Sequence, residues 1–180
     1  MFTRWQKAGP LLQHVRYKSN LTFGRIHGLN GNKRYPVSFL STEDLGDKKL
    51  TDYPEFIIGW TPKQDEIDSK TFMPNDTFLN YLTQVFSNHI HEINDSTLKG
   101  MAQYQKEGWL HIGDERNPPP WGRIPKPEDI IGSVLLQDGK IQAGTYQSMP
   151  AYRLATKKGF MQLSKPLEQY LVDVAKQKLK

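Results

Sequence analysis

Apolar positions recur at helical spacing in three parts of the chain. After the capping residues Asn75 and Asp76, Phe78, Leu79, Leu82, Val85, Phe86 and Ile90 fall on one face, which predicts a helix over 76–90. Asn94, Asp95 and Ser96 offer a second cap, followed by Leu98, Met101 and Ala102, and Gly108 closes that shorter helix. The two helices are expected to form a hairpin. Near the C-terminus Ser164 is a cap and Pro166 is tolerated in the first turn. Leu167, Tyr170, Leu171, Val174 and Leu179 then make an apolar face, and Lys176, Lys178 and Lys180 suit the end of a helix electrostatically.

Strand signals fill the rest. Residues 53–60 are an apolar run bounded by Pro54 and Pro62, and residues 109–112 alternate weakly. Residues 133–137 and 140–143 flank Asp138-Gly139, a pair that supplies the positive φ values of a tight hairpin. Residues 152–156 and 160–163 flank Lys157-Lys158-Gly159 in the same manner. Residues 20–50 are rich in Gly, Asn and Ser and read as extended or irregular. The pattern predicts an α+β fold: a mainly antiparallel sheet of about four or five strands, with the helical hairpin and the C-terminal helix on one face. The expected organisation is a leader over 1–19, a loop-rich region over 20–70 and an α+β domain over 71–180.

One stretch fits neither period. Residues 109–134 hold two of the four tryptophans and five of the twelve prolines, with charges of both signs between them. Pro118, Pro119 and Pro120 fix three φ angles and remove three backbone donors, so this piece should be extended. Asn117 precedes a proline and is biased away from helix. Gly122 permits a turn beside Trp121, and Pro127-Glu128-Asp129-Ile130 can make one helical turn. An ordered loop of about fifteen residues is longer than compact domains use without a reason.

Composition narrows the chemistry. With 37% hydrophobic and 24% charged residues over 180 positions, the chain has the length and balance for one domain with a real core. The absence of cysteine excludes disulfides, thiolate metal sites and a Cys nucleophile. No apolar run reaches the length of a membrane span. The net charge of +5 is unevenly placed. Arg4, Lys7, Arg16, Lys18, Arg25, Lys33 and Arg34 precede the first acid, Glu43, so the body of the chain is near neutral and overall charge is a poor argument for nucleic-acid binding. The basic, acid-free, amphipathic start, with Phe2, Trp5 and Leu12 beside Arg4 and Lys7, has the composition of a mitochondrial transit peptide. Arg16-Tyr17 suits cleavage of such a leader.

Candidate chemistry is sparse. His89, His91 and His111, with Glu92 and Asp114, are the only candidate metal cluster, and their spacing is poor for one ion. No metal and no cofactor is expected. Gly28 and Gly31 match neither a phosphate loop nor a dinucleotide fingerprint. Asp114, Glu115, Arg116, Arg123, Glu128 and Asp129 could form an acid/base constellation, but the same residues serve equally to brace a proline loop. No catalytic residue is assigned.

Trp109, Asp114, Arg116, Asn117-Pro118-Pro119, Gly122-Arg123-Ile124, Pro127-Glu128-Asp129-Ile130 and Gly132-Ser133-Val134 carry a resemblance. In these residues the chain is similar to a group of fungal mitochondrial proteins without an assigned activity. The likeness covers about a third of the chain and fades through Tyr152-Arg153 and Leu163. It implies kinship and location, in the mitochondrial matrix or on the matrix side of the inner membrane. It carries no catalytic residue with it.

The expected function is therefore that of a non-enzymatic mitochondrial interaction or assembly factor. Trp109, Asp114, Arg116, Trp121, Arg123, Glu128 and Asp129 are the expected partner-binding or loop-bracing residues, on a single braced surface. The partner would be a mitochondrial protein or complex. Association with RNA or the ribosome through aromatics and the basic C-terminal helix is the alternative, and a small enzyme using the loop carboxylates ranks third.

Overall fold

The computed structural model describes residues 22–23, 26–27, 33–64, 66–120 and 122–180. The leader expected over 1–19 and the site residue Trp121 lie outside the described residues. The chain has the expected α+β fold, but its strands divide into two antiparallel sheets and a small ladder rather than one sheet.

The first sheet comprises β1 (Thr22–Phe23), β2 (Ile26–His27), β3 (Lys33–Ser38), β4 (Ile57–Thr61) and β5 (Met73–Pro74). Its centre is the β3–β4 pair, with Val37 opposite Gly59 and Tyr35 opposite Thr61. Between these strands lie α1 (Thr42–Leu45), which Ser41 and Asp44 cap reciprocally, and two 3-10 turns, Leu50–Asp52 and Pro54–Phe56. The second of these turns takes up the start of the strand expected at 53–60.

The expected helices follow. In α2 (Asp76–His89), Asn75 accepts from the Thr77 N–H while its amide donates to the carbonyls of Pro54 and Ile57 at 2.8 and 2.7 Å. One residue thus caps the helix and ties it to β4. In α3 (Ser96–Gln105), Asp95 caps the N–H groups of Thr97 and Leu98. The second sheet holds β6 (Gly108–Gly113), β7 (Ile130–Gln137), β8 (Lys140–Ile141) and β9 (Gln147–Ser148). The β7–β8 turn is the Asp138-Gly139 hairpin, at φ 51° and 72°. A two-stranded ladder, β10 (Ala155–Thr156) with β11 (Gly159–Phe160), precedes α4 (Lys165–Leu179).

The helices do not act mainly as a hairpin. The α2 helix packs on β4, β9 and α4, whereas α3 packs on β6 and β8. The Ser164 hydroxyl caps α4 and also donates to Asp95, so the N-termini of α3 and α4 share a hydrogen-bonded junction.

One core runs through both sheets. Val37, Leu40, Phe56 and Ile58 belong to the same buried cluster as Phe78, Phe86, Leu110, Val134, Leu167 and Leu171. The division expected at residue 70 is therefore not a boundary in the packing. No helix of the described residues is long and apolar enough to cross a membrane.

Candidate functional site

The loop between β6 and β7 has a buried root and an exposed crown. At the root the strand β6 ends in an irregularity between Ile112 and Gly113, and the Asp114 N–H donates to the Asp129 carbonyl at 2.8 Å. The loop is closed at this point. The Asp114 carboxylate then accepts from the Arg116 N–H at 2.9 Å, the Gln162 N–H at 3.0 Å and the Tyr152 hydroxyl at 2.8 Å. This acid joins the loop to the chain that follows β9.

Arg116 lies inside. Its side chain is 2% exposed and those of Asp114 and Asp129 are fully buried. Nε donates to Asp129 Oδ1 at 2.9 Å, and Nη2 donates to the Glu128 carbonyl at 2.7 Å. The guanidinium sits 5.6 Å from the centre of the Tyr152 ring. Nη1 stands 3.7 Å from Asp114 Oδ2 and makes no hydrogen bond of its own. The second Asp129 oxygen accepts from the Asn117 amide at 3.0 Å. Planar donors in a fork suit this geometry, which explains arginine at the position.

Burial pushes the Asp114 carboxyl above the ordinary carboxylate range, although the Arg116 charge and the three donors oppose it. Burial and the Asp114 charge beside it raise the Tyr152 hydroxyl well above a normal phenol. These are the signs of a desolvated polar knot. Each carboxylate oxygen of Asp114 and Asp129 accepts from at least one fixed donor, an arrangement suited to bracing the loop.

The crown is different. Arg123 and Ile124 are exposed, Ile124 to 71%. With Gly122 and Pro125 they form one wall of a cleft of about 190 Å³. Met101, Tyr104 and Gln105 of α3 form the other wall, and Leu110 and His111 of β6 complete it. His111 Nδ1 is 2.8 Å from the Ser133 hydroxyl, which fixes the ring. Tyr104 is 76% exposed on an otherwise amphipathic helix.

The single braced surface expected from the sequence therefore splits in two. Asp114, Arg116 and Asp129 come together as the buried knot. Arg123 stands apart from them on the cleft, because the proline run carries the chain away before Gly122 turns it at φ 75°. Glu128 contributes its backbone carbonyl to Arg116 rather than its carboxylate. Trp109 is 43% exposed on β6, outside the cleft lining, and the Gln105 amide donates to its carbonyl at 3.0 Å.

Sequence reasoning missed Tyr152 in the knot and Tyr104 in the cleft. Tyr104 was detectable as an aromatic out of phase with Leu98 and Ala102. Tyr152 had no local signal, being 38 positions from its partner. The histidines do not converge: His89 and His91 lie 3.4 and 3.5 Å from Glu92, while His111 faces Ser133. Among the described residues no three His, Cys, Asp or Glu side chains are grouped to hold a metal ion. No family model, no curated protein and no solved structure matches the chain.

Proposed function

We propose that the protein is a non-enzymatic mitochondrial interaction or assembly factor whose 109–134 stretch engages a protein partner. The observation that carries this reading is the pairing of a rigid root with an exposed crown. The Arg116–Asp129 knot fixes the loop from below, while Arg123, Ile124 and Pro125 stand out on an apolar cleft. An anchor presented on a pre-ordered loop loses little entropy on binding. The cleft is smaller than the roughly 300 Å³ at which small-molecule pockets begin, so it suits a partner's side chains better than a free substrate. The mitochondrial part of the proposal rests on the acid-free N-terminal composition and on the resemblance in residues 109–134.

The RNA reading is weaker. One of its two supports is the basic end of α4, and there Lys176 pairs with Asp44 at 2.6 Å while Lys178 pairs with Glu55. Of the carboxylates that the enzymatic reading needs, Asp114 and Asp129 are taken up in the buried knot. Cross-linked recovery of the full chain from mitochondria, with and without nuclease, tests the proposal. It predicts an imported chain cleaved between Arg16 and Asn20 and a nuclease-resistant protein partner. An intact Met1 on a cytosolic protein, or recovery that vanishes with nuclease, would contradict it.

A further inference from the structure

The second sheet ends on β6. Among the described residues β6 pairs with β7 alone, and none of them pairs along its other edge. Hydrogen bonds on β7 reveal which β6 groups face outward. The Leu135 carbonyl accepts from Gln142 N–H, and its N–H donates to Thr145 Oγ1. Leu135 thus points away from β6, and Trp109, its partner in register, points away from β7. The same parity turns the N–H and C=O of His111 outward. Gln105 already occupies the Trp109 carbonyl. His111 therefore offers a donor and an acceptor, and Trp109 offers a further donor.

That edge opens into the cleft. Side chains of consecutive strand residues leave opposite faces. Yet Leu110 and His111 both line the cleft, which therefore runs along the edge of the strand rather than over one face. Its walls are Met101 and Tyr104 on one side and Arg123, Ile124 and Pro125 on the other. Among the described residues no carboxylate lines it, and Arg123 is the cation of that lining.

We propose that this edge receives an extended segment of a partner protein as an added strand on β6, with an acidic residue next to an apolar one. The segment's backbone would exchange hydrogen bonds with His111 and accept from the Trp109 N–H. Its apolar side chain would enter between Met101, Tyr104 and Ile124, and its carboxylate would meet the Arg123 fork. A second copy of the chain, pairing β6 with β6, would leave both Arg123 charges unanswered by the cleft. The inference rests on the reading of the 109–134 stretch as a protein-binding face and adds the chemistry of what it binds.

The test uses the purified full chain and a displayed library of random twelve-residue peptides. Selected peptides, made synthetically and measured by fluorescence anisotropy, should place Asp or Glu beside Leu, Ile, Val or Phe. Arg123→Glu should weaken them roughly tenfold or more, as should Ile124→Ser. Both residues are exposed, and circular dichroism should show an unchanged fold. N-methylation at alternate peptide positions should abolish binding in one register and spare it in the other, because only alternate amides face β6. Peptides indifferent to Arg123→Glu, equal effects of both N-methyl registers, or a dimer in sedimentation that blocks peptide binding would each overturn the proposal. A mitochondrial partner that binds Arg123→Glu as well as wild type would overturn the added strand while leaving the interaction role standing.

Discussion

Arg116 Nε and Asp129 Oδ1 meet at 2.9 Å across the mouth of the β6–β7 loop, with both side chains sealed from solvent. A buried pair of this kind is weak evidence of net stabilisation, because removing both charges from water offsets much of their attraction. Breaking it is another matter. Asp129→Ala should strand the guanidinium and cost about 3–5 kcal/mol, a fall in melting temperature on the order of 10 °C. Urea denaturation measures this directly. A change within about 0.5 kcal/mol, typical of surface substitutions, would mean that the knot does not hold the loop.

Two glycines sit where a methyl group has no room. A Cβ at Gly59 would lie 2.3 Å from the Met73 carbonyl oxygen, and one at Gly132 would lie 2.5 Å from the Tyr146 ring. Gly59→Ala and Gly132→Ala should each destabilise by about 1–3 kcal/mol through overpacking. Gly100 in α3 has open space around it. There alanine should stabilise by about 0.5–1 kcal/mol. Opposite signs in one set of melts would check the packing of both sheets against the helix.

The docking of α4 should depend on acid. Burial raises the Asp44 carboxyl, but the hydrogen bond from Lys176 and those from the Ser41 N–H and hydroxyl outweigh it, leaving the group below its ordinary 3.8. Glu55 is likewise raised by burial and lowered further by Lys178, ending below 4.5. A depressed carboxylate stabilises the fold above its unfolded value and loses that contribution as pH falls through its folded value. The difference between wild type and the Lys176→Met, Lys178→Met double variant should therefore be full above pH 4.5 and close as pH falls below 3.8. Both lysines are more than a third exposed, so the effect should be small and should shrink with salt. A difference that grew toward acid would contradict these pairings.

Local pattern made the helices legible, because capping and period are written within a few residues. Asn75, Asp95 and Ser164 cap as their positions imply, and Leu82, Val85 and Phe86 are buried as their spacing implies. The strand β3 was hidden, since Pro36 sits in its middle and polar residues surround it. Pairing with β4 on one side and with β1 and β2 on the other makes it a strand. The same limit applied to the site. The residue types in 109–134 announced a brace, but burial decided that Arg116 belongs inside and Arg123 outside. That separation depends on where Tyr152 and Gln162 return to the loop, which no short window contains.

The crown and the root should fail differently. Arg123→Lys keeps the charge but loses the planar fork, and Ile124→Ser removes the exposed anchor. Both should leave stability within about 0.5 kcal/mol of wild type while weakening partner recovery. Thermal melts and pull-downs on the same preparations separate loss of surface from loss of fold.

The most direct measurement is therefore partner recovery by cross-linking in mitochondria, with wild type, Arg123→Glu and Ile124→Ser expressed as full chains at equal levels. The account predicts a nuclease-resistant protein partner for wild type and its loss in both variants, with melting temperatures unchanged. Equal recovery by all three stable proteins, or no protein partner for wild type, would contradict the claim that the 109–134 stretch is a binding face.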